Sequence, residues 1–227
     1  MRILSITGTA SGVGKTTVGQ FLLRHFNKLS ALKITTKHEG NCSRSGRSDC
    51  DVCDNMTFPY KITDDPVQIN QPGKDTALFK NAGARKVVWL QTQSMYLEAG
   101  IEEALRHFDK NSQVLVEGNS FLHTHNADLN ILVTTLGEPK IKRSTKQIIS
   151  KIDIAVINIY PDDKRDDIVK TEARLYQMGC YAPVFIVNPL AKNFIPNETF
   201  LNYVREVLKG HWPEGFHQAK KILSVEN

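Results

Sequence analysis

Gly8-Thr9-Ala10-Ser11-Gly12-Val13-Gly14-Lys15-Thr16-Thr17 is the stretch on which the reading of this chain turns. A short apolar run over 2–7 precedes it. In the segment that follows, 15–26, Val18, Phe21, Leu22 and Phe26 recur at helical spacing. Strand, glycine-rich turn and helix, in that order, form the context in which backbone N–H groups can surround a phosphate. Gly12 and Gly14 let the backbone turn inward. Lys15 has the reach for β and γ phosphates, the Thr16 hydroxyl suits Mg²⁺, and the helix N-terminus adds partial positive charge. The strict pattern G-x-x-x-x-G-K-[ST] would put a glycine where Thr9 stands; here Gly8 comes one position earlier. The expected phosphate-binding residues are Thr9, Ser11, Gly12, Val13, Gly14, Lys15, Thr16 and Thr17, with ATP and GTP both open as ligands.

Further strands are expected over 31–36, 86–90, 113–116, 129–134, 154–159 and 183–187, and further helices over 74–82, 96–108, 163–178 and 198–208. Short apolar strands alternating with amphipathic helices imply an α/β chain. Its sheet should be mostly parallel with helices on both faces, the phosphate-loop nucleotide-hydrolase fold. In such sheets ligands sit at the carboxyl ends of strands. Residues 1–210 read as a single domain with a cysteine-containing insertion at about 39–72, and 211–227 as a polar tail. The second part of the insertion, 57–70, carries short alternating pieces that suggest a hairpin.

The 227 residues suffice for one well-buried domain, and 41% apolar with 23% charged is ordinary globular composition. No apolar run nears the roughly 20 residues of a membrane span, and the N-terminus runs into the glycine-rich loop with no cleavage-type segment. A cytoplasmic protein without a membrane partner is the expectation. The net charge of +5 suits an anionic ligand such as a nucleotide. Lys142, Arg143 and Lys146 read as a solvated loop and helix start, so no nucleic-acid partner is expected.

Val114-Leu115-Val116-Glu117-Gly118 puts a carboxylate at a buried strand's exit, where it can hold Mg²⁺ through a water. Thr16 and Glu117 are thus the candidate Mg²⁺ residues. Asn158 and Asn188 each end a late strand, and an amide offers a base edge both a donor and an acceptor. The same residue type also favours turns after strands. His38, Cys42, Cys50 and Cys53 form a second candidate metal set, H-x₃-C-x₇-C-x₂-C, for Zn²⁺ or an iron–sulfur cluster. A polar loop with free thiols is the alternative.

Several of these motifs resemble those of the molybdopterin-guanine dinucleotide biosynthesis protein B family, MobB. Thr36-Lys37-His38 looks like the Lys-His after that family's second strand. Pro72-Gly73-Lys74-Asp75-Thr76 and Asn81-Ala82-Gly83-Ala84 are similar to its P-G-K-D-[ST] and A-G-A segment, and Leu115-Val116-Glu117-Gly118 to its L-V-E-G. The resemblance covers roughly residues 2–134. It implies a dimeric GTP-binding accessory protein of molybdenum-cofactor biosynthesis, with slow Mg²⁺-dependent hydrolysis and a pterin or metal cofactor as substrate. It also implies that Lys37, His38, Lys74, Asp75 and Glu117 line the nucleotide or cofactor site. Lys15, Asp75 and Glu117 are the candidate catalytic residues.

The glycine-rich loop itself, Val156-Ile157-Asn158 and the segment 183–189 look more like dethiobiotin synthetase. In that ATP-dependent ligase a lysine of the second strand serves the chemistry, and the candidate here is Lys33. Both families belong to a class of dimerising phosphate-loop proteins. Its metal-cofactor branch often carries a lysine early in the loop that reaches across the dimer. Ala10 holds that position, so no trans-acting lysine is expected. A third reading is a nucleotide-gated carrier or scaffold whose cysteine loop docks a metal or partner.

Overall fold

Residues that alternate between two apolar surroundings every second position build the centre of the computed structural model. The structure describes residues 1–37, 57–137, 141–160, 163 and 165–212. Strands β1 (Arg2–Gly8), β2 (Leu29–Thr36), β3 (Tyr60–Thr63), β4 (Val87–Thr92), β5 (Gln113–Glu117), β6 (Leu129–Thr135), β7 (Ile154–Asn158) and β8 (Val184–Val187) form one sheet. Its order is β3-β4-β2-β5-β1-β6-β7-β8. Every neighbouring pair is parallel except β3 with β4. The α-helices among the described residues are α1 (Lys15–His25), α2 (Pro66–Ile69), α3 (Asp75–Asn81), α4 (Leu97–Arg106), α5 (Phe121–Thr124), α6 (Arg143–Ile148), α7 (Arg165–Gln177) and α8 (Ile195–Lys209). None is long and apolar enough to cross a membrane.

Strand periodicity explains the two cores. In β5, Leu115 joins Leu4, Ile6, Leu22, Phe79 and Val204 on the face covered by α1, α3 and α8. Its neighbours Val114 and Val116 join Leu90, Ile101, Phe121 and Leu175 on the opposite face, with α4, α5 and α7. Such double coverage is why these strands read as continuous apolar runs. The expected α/β architecture with helices on both faces is therefore what the chain adopts.

The topology also creates the site. From β1 the chain passes over to β2 and β4, returns to β5 between β2 and β1, and then leaves on the far side through β6, β7 and β8. The direction of winding reverses at β1, and the loop after β1 opens at that reversal, where α/β sheets bind ligands.

Two expectations change. Residues 57–70 do not form their own hairpin. Tyr60–Thr63 pairs antiparallel with β4, Ile62 opposite Leu90, and the next residues make the helical turn α2. The local reason is Asp65, whose carboxylate accepts from the Val67 N–H at 3.1 Å, with Pro66 at the first helical position. The last helix begins at Ile195 rather than at Glu198. Pro196 lies in its first turn, and the buried Asn197 amide is tied to the backbone of Asn188 at 2.9 and 2.8 Å.

Candidate functional site

The glycine-rich loop is fastened at both ends. Gly14 caps α1 in the left-handed conformation, φ 89°, and Gly12 sits at φ 77°. A Cβ on Gly14 would lie 2.1 Å from Asn158 Nδ2, so only glycine fits there. At the other end the Asn119 amide brackets Gly8, accepting from its N–H and donating to its C=O, both at 2.9 Å. Thr145 Oγ1 donates to the same carbonyl at 2.8 Å and accepts from Asn119 at 3.0 Å. Thr9 is buried and fully committed. Its hydroxyl meets Thr134 at 3.1 Å, its N–H reaches Val133 O at 3.0 Å, and its carbonyl accepts from Lys142 N at 3.0 Å. Thr9 therefore anchors the loop, whereas Ser11 and Gly12 are exposed and Gly14, Lys15, Thr16 and Thr17 are partly so. Val13 is buried against the core.

Beneath the loop, alternation and register put charged groups together. Lys33 of β2 and Glu117 of β5 are partners across the parallel ladder. Leu32 and Val116, one position before each, belong to the opposite face, so both charged side chains project toward α1 and α3. Asp75 is the first residue of α3, the helix packed beside α1. Lys33 Nζ lies 2.5 Å from Asp75 Oδ2 and 2.9 Å from Glu117 Oε2. The other Asp75 oxygen accepts from Thr16 Oγ1 at 3.3 Å. Lys33 is 7% exposed and Glu117 1%. A buried pair of this kind loses about 3–5 kcal/mol when one partner is removed, because the other charge is stranded.

Burial alone would push the Lys33 ammonium down, but Glu117 and Asp75 outweigh it and hold its pKa above the ordinary lysine value. Lys15 goes the other way. Burial lowers its pKa, with Lys33 and Lys142 adding to the effect and Glu117 and Asp75 opposing it. Its ammonium donates to Ala10 O at 3.3 Å, within the loop it would serve.

Thr16 hydroxyl and the Asp75 and Glu117 carboxylates form an all-oxygen donor set, which is the chemistry Mg²⁺ selects. Thr16 and Glu117 are the two residues expected to serve Mg²⁺; Asp75 is bonded to Thr16 and shares Lys33 with Glu117.

Lys37 is on the rim, its N–H bonded to Thr92 O at 2.8 Å and its carbonyl accepting from Ser94 at 3.3 Å. Lys74 is exposed at the start of α3. Asn158 is fully buried behind Gly14. Its Nδ2 donates to Val13 O at 3.3 Å and to the Tyr160 hydroxyl at 3.4 Å, while its Oδ1 has no partner among the described residues. Asn188 closes a turn, its Oδ1 accepting from the Leu190 and Ala191 N–H groups at 3.2 Å. The loop it starts borders a cavity of about 440 Å³ whose wall includes Phe21, Arg24, His25 and Phe194. His38, Cys42, Cys50 and Cys53 lie outside the described residues.

Sequence reasoning did not single out Asn119 or Thr145, and it weighed Lys33 only for the ligase reading. For Lys33 a signal existed: a lysine inside the apolar strand Ala31-Leu32-Lys33-Ile34 needs a buried partner. For Asn119 and Thr145 none did.

No family model and no curated protein matches this chain. Among solved structures it is similar to HypB from Helicobacter pylori in complex with nickel, at 13% identity and TM-score 0.48, over 94% of this chain and 90% of that one. A LAO/AO transport system kinase matches at 18% identity and TM-score 0.49, over 100% of this chain and 65% of the kinase. The MinD cell division protein of Aquifex aeolicus matches at 16% identity and TM-score 0.47, over 94% and 99%.

Proposed function

We propose that this chain is a Mg²⁺-dependent nucleoside-triphosphate-binding protein with slow hydrolysis, acting as a GTP-binding accessory protein of molybdenum-cofactor (molybdopterin guanine dinucleotide) biosynthesis. The observation that carries the nucleotide reading is the convergence of Lys15, Thr16, Asp75 and Glu117 behind a loop fastened at Gly8 and Gly14. Thr16, Asp75 and Glu117 would hold the metal, which when bound spreads the charge of the phosphates. Lys15 binds phosphate oxygens, and the backbone N–H groups of 12–16 orient them. Glu117, buried at the strand end, positions a water. GTP and the cofactor role rest on the ordered motifs that resemble those of the MobB family, as does a homodimer.

Titration of a fluorescent GTP analogue tests this. Wild type binds with Mg²⁺, ATP competes weakly, and Lys15→Ala abolishes binding. Unchanged affinity in Lys15→Ala sinks the phosphate-loop reading, and preference for ATP sinks the GTP reading.

One observation favours the second reading, an ATP-dependent ligase similar to dethiobiotin synthetase: Lys33 stands in the site rather than in the core at large. That reading requires ADP release stimulated by a diamine substrate. Bound metal with tight nucleotide binding and no turnover would instead favour the carrier reading.

A further inference from the structure

The two carboxylates of the proposed metal seat already share a cation. Lys33 Nζ sits 2.5 Å from Asp75 Oδ2 and 2.9 Å from Glu117 Oε2, while Thr16 Oγ1 takes up the remaining Asp75 oxygen. Lys15 feels both carboxylates as well as Lys33, and Lys142 acts on it as a further like charge, so the negative charge of the two carboxylates is already offset. A divalent ion entering on its own would give this buried, poorly solvated place a net positive charge and would face two like charges at close range. A polyphosphate supplies the missing negative charge and engages Lys15.

We infer that Lys33 is an internal counter-cation that keeps the Asp75–Glu117 seat closed to a free divalent ion, so that metal enters only together with nucleotide phosphates. The lysine is suited to this because it cannot drift away. It is fixed by β2 in register with Glu117, and its stem is enclosed by the same packing that buries the carboxylate. The device makes nucleotide-free protein indifferent to cellular Mg²⁺. It also couples metal entry to a displacement of the Lys33 ammonium from at least one carboxylate. The inference rests on the metal seat proposed above, but not on which nucleotide binds.

The experiment is a Mn²⁺ titration of the full, nucleotide-free chain, followed by electron paramagnetic resonance of free Mn²⁺ and by thermal unfolding. It compares wild type with Lys33→Met, which keeps most of the stem's length, and Lys33→Gln, whose shorter side chain keeps a neutral hydrogen-bond donor. Expected is weak binding by wild type and a Kd lower by about tenfold or more in both variants, since a like charge at contact distance has been removed. Mn²⁺ should raise the melting temperature of the variants and leave that of wild type unmoved. Adding Glu117→Gln to Lys33→Gln should abolish the gain, which locates the metal.

Equal Mn²⁺ affinity in wild type and variants overturns the inference. So do variants that stay unfolded at millimolar Mn²⁺, because a metal in the seat would replace the lost charge. Failure of wild type to bind any nucleotide would instead overturn the proposed function, and the nucleotide-free comparison separates the two.

Discussion

Gly14→Ala is expected to damage this protein far more than the same change two residues earlier, and the structure says by how much. Both glycines have positive φ, 77° at Gly12 and 89° at Gly14, so alanine at either pays for the left-handed conformation, about 1–2 kcal/mol. At Gly12 nothing lies within 4 Å of the new methyl group. At Gly14 the methyl would stand 2.1 Å from Asn158 Nδ2 and 3.1 Å from its Cγ. Asn158 is fully buried and must rotate, giving up its bonds to Val13 O and Tyr160. Each lost bond costs about 0.5–1.5 kcal/mol. The expected destabilisation is therefore about 2–5 kcal/mol for Gly14→Ala, from the strain and the two bonds together. For a chain of this size each kcal/mol lowers the melting temperature by about 2–4 °C. Denaturant and thermal unfolding of Gly12→Ala, Gly14→Ala, Asn158→Ala and the double variant Gly14→Ala/Asn158→Ala measure it. The cycle should show a favourable coupling of about 1–2 kcal/mol, because removing the amide removes the obstruction. Equal stability of the two glycine variants, or strict additivity in the cycle, would refute the packing described at Gly14.

Asn119→Ala leaves the Gly8 N–H without its acceptor and should cost about 1–3 kcal/mol, with weaker nucleotide binding than in a surface control such as Lys80→Ala; a melting temperature equal to wild type would show that the clamp is idle. Burial holds the His125 pKa below its usual value against the pull of Glu102 and Glu98. The unfolded chain, titrating near pH ~6.5, then binds more protons than the folded one. Stability is present above that pH and is lost as pH falls through it toward the folded value, so the drop in denaturant midpoint between neutral and mildly acidic buffer should be smaller in His125→Asn. An identical slope in the variant would argue against a partly buried imidazole whose pKa is lowered. Metal analysis of anaerobically purified protein should find Zn or Fe lost in Cys50→Ser, and metal-free wild type would reject His38, Cys42, Cys50 and Cys53 as ligands.

Local chemistry determined much of this protein from the sequence alone. A glycine-rich turn between an apolar strand and an amphipathic helix is a local pattern, and so is each later strand, because burial on two faces leaves an unbroken apolar run. The parallel α/β architecture, the loop from Gly8 to Thr17 and the carboxylate at the exit of β5 follow from that. Pairing across long separations is a different matter. Lys33 and Glu117 are 84 residues apart, Asn119 and Gly8 111, and Thr145 and Gly8 137. Only strand order and register bring them together, since a parallel ladder decides which residue stands beside which and a shift of one would turn Lys33 to the other face. The same holds for 60–63, whose alternation fits a local hairpin equally well until β4 offers an unpaired edge. Asn188 shows the limit from the other side: an amide after a strand suits a base or a turn alike, and only the folded loop decides that its oxygen is spent on Leu190 and Ala191. The sequence by itself thus determined that a glycine-rich loop joins the first strand to the first helix of a parallel sheet. The tertiary structure decided what stands beneath it: two carboxylates held by a buried lysine, because only packing can hold three charges from three distant segments in contact.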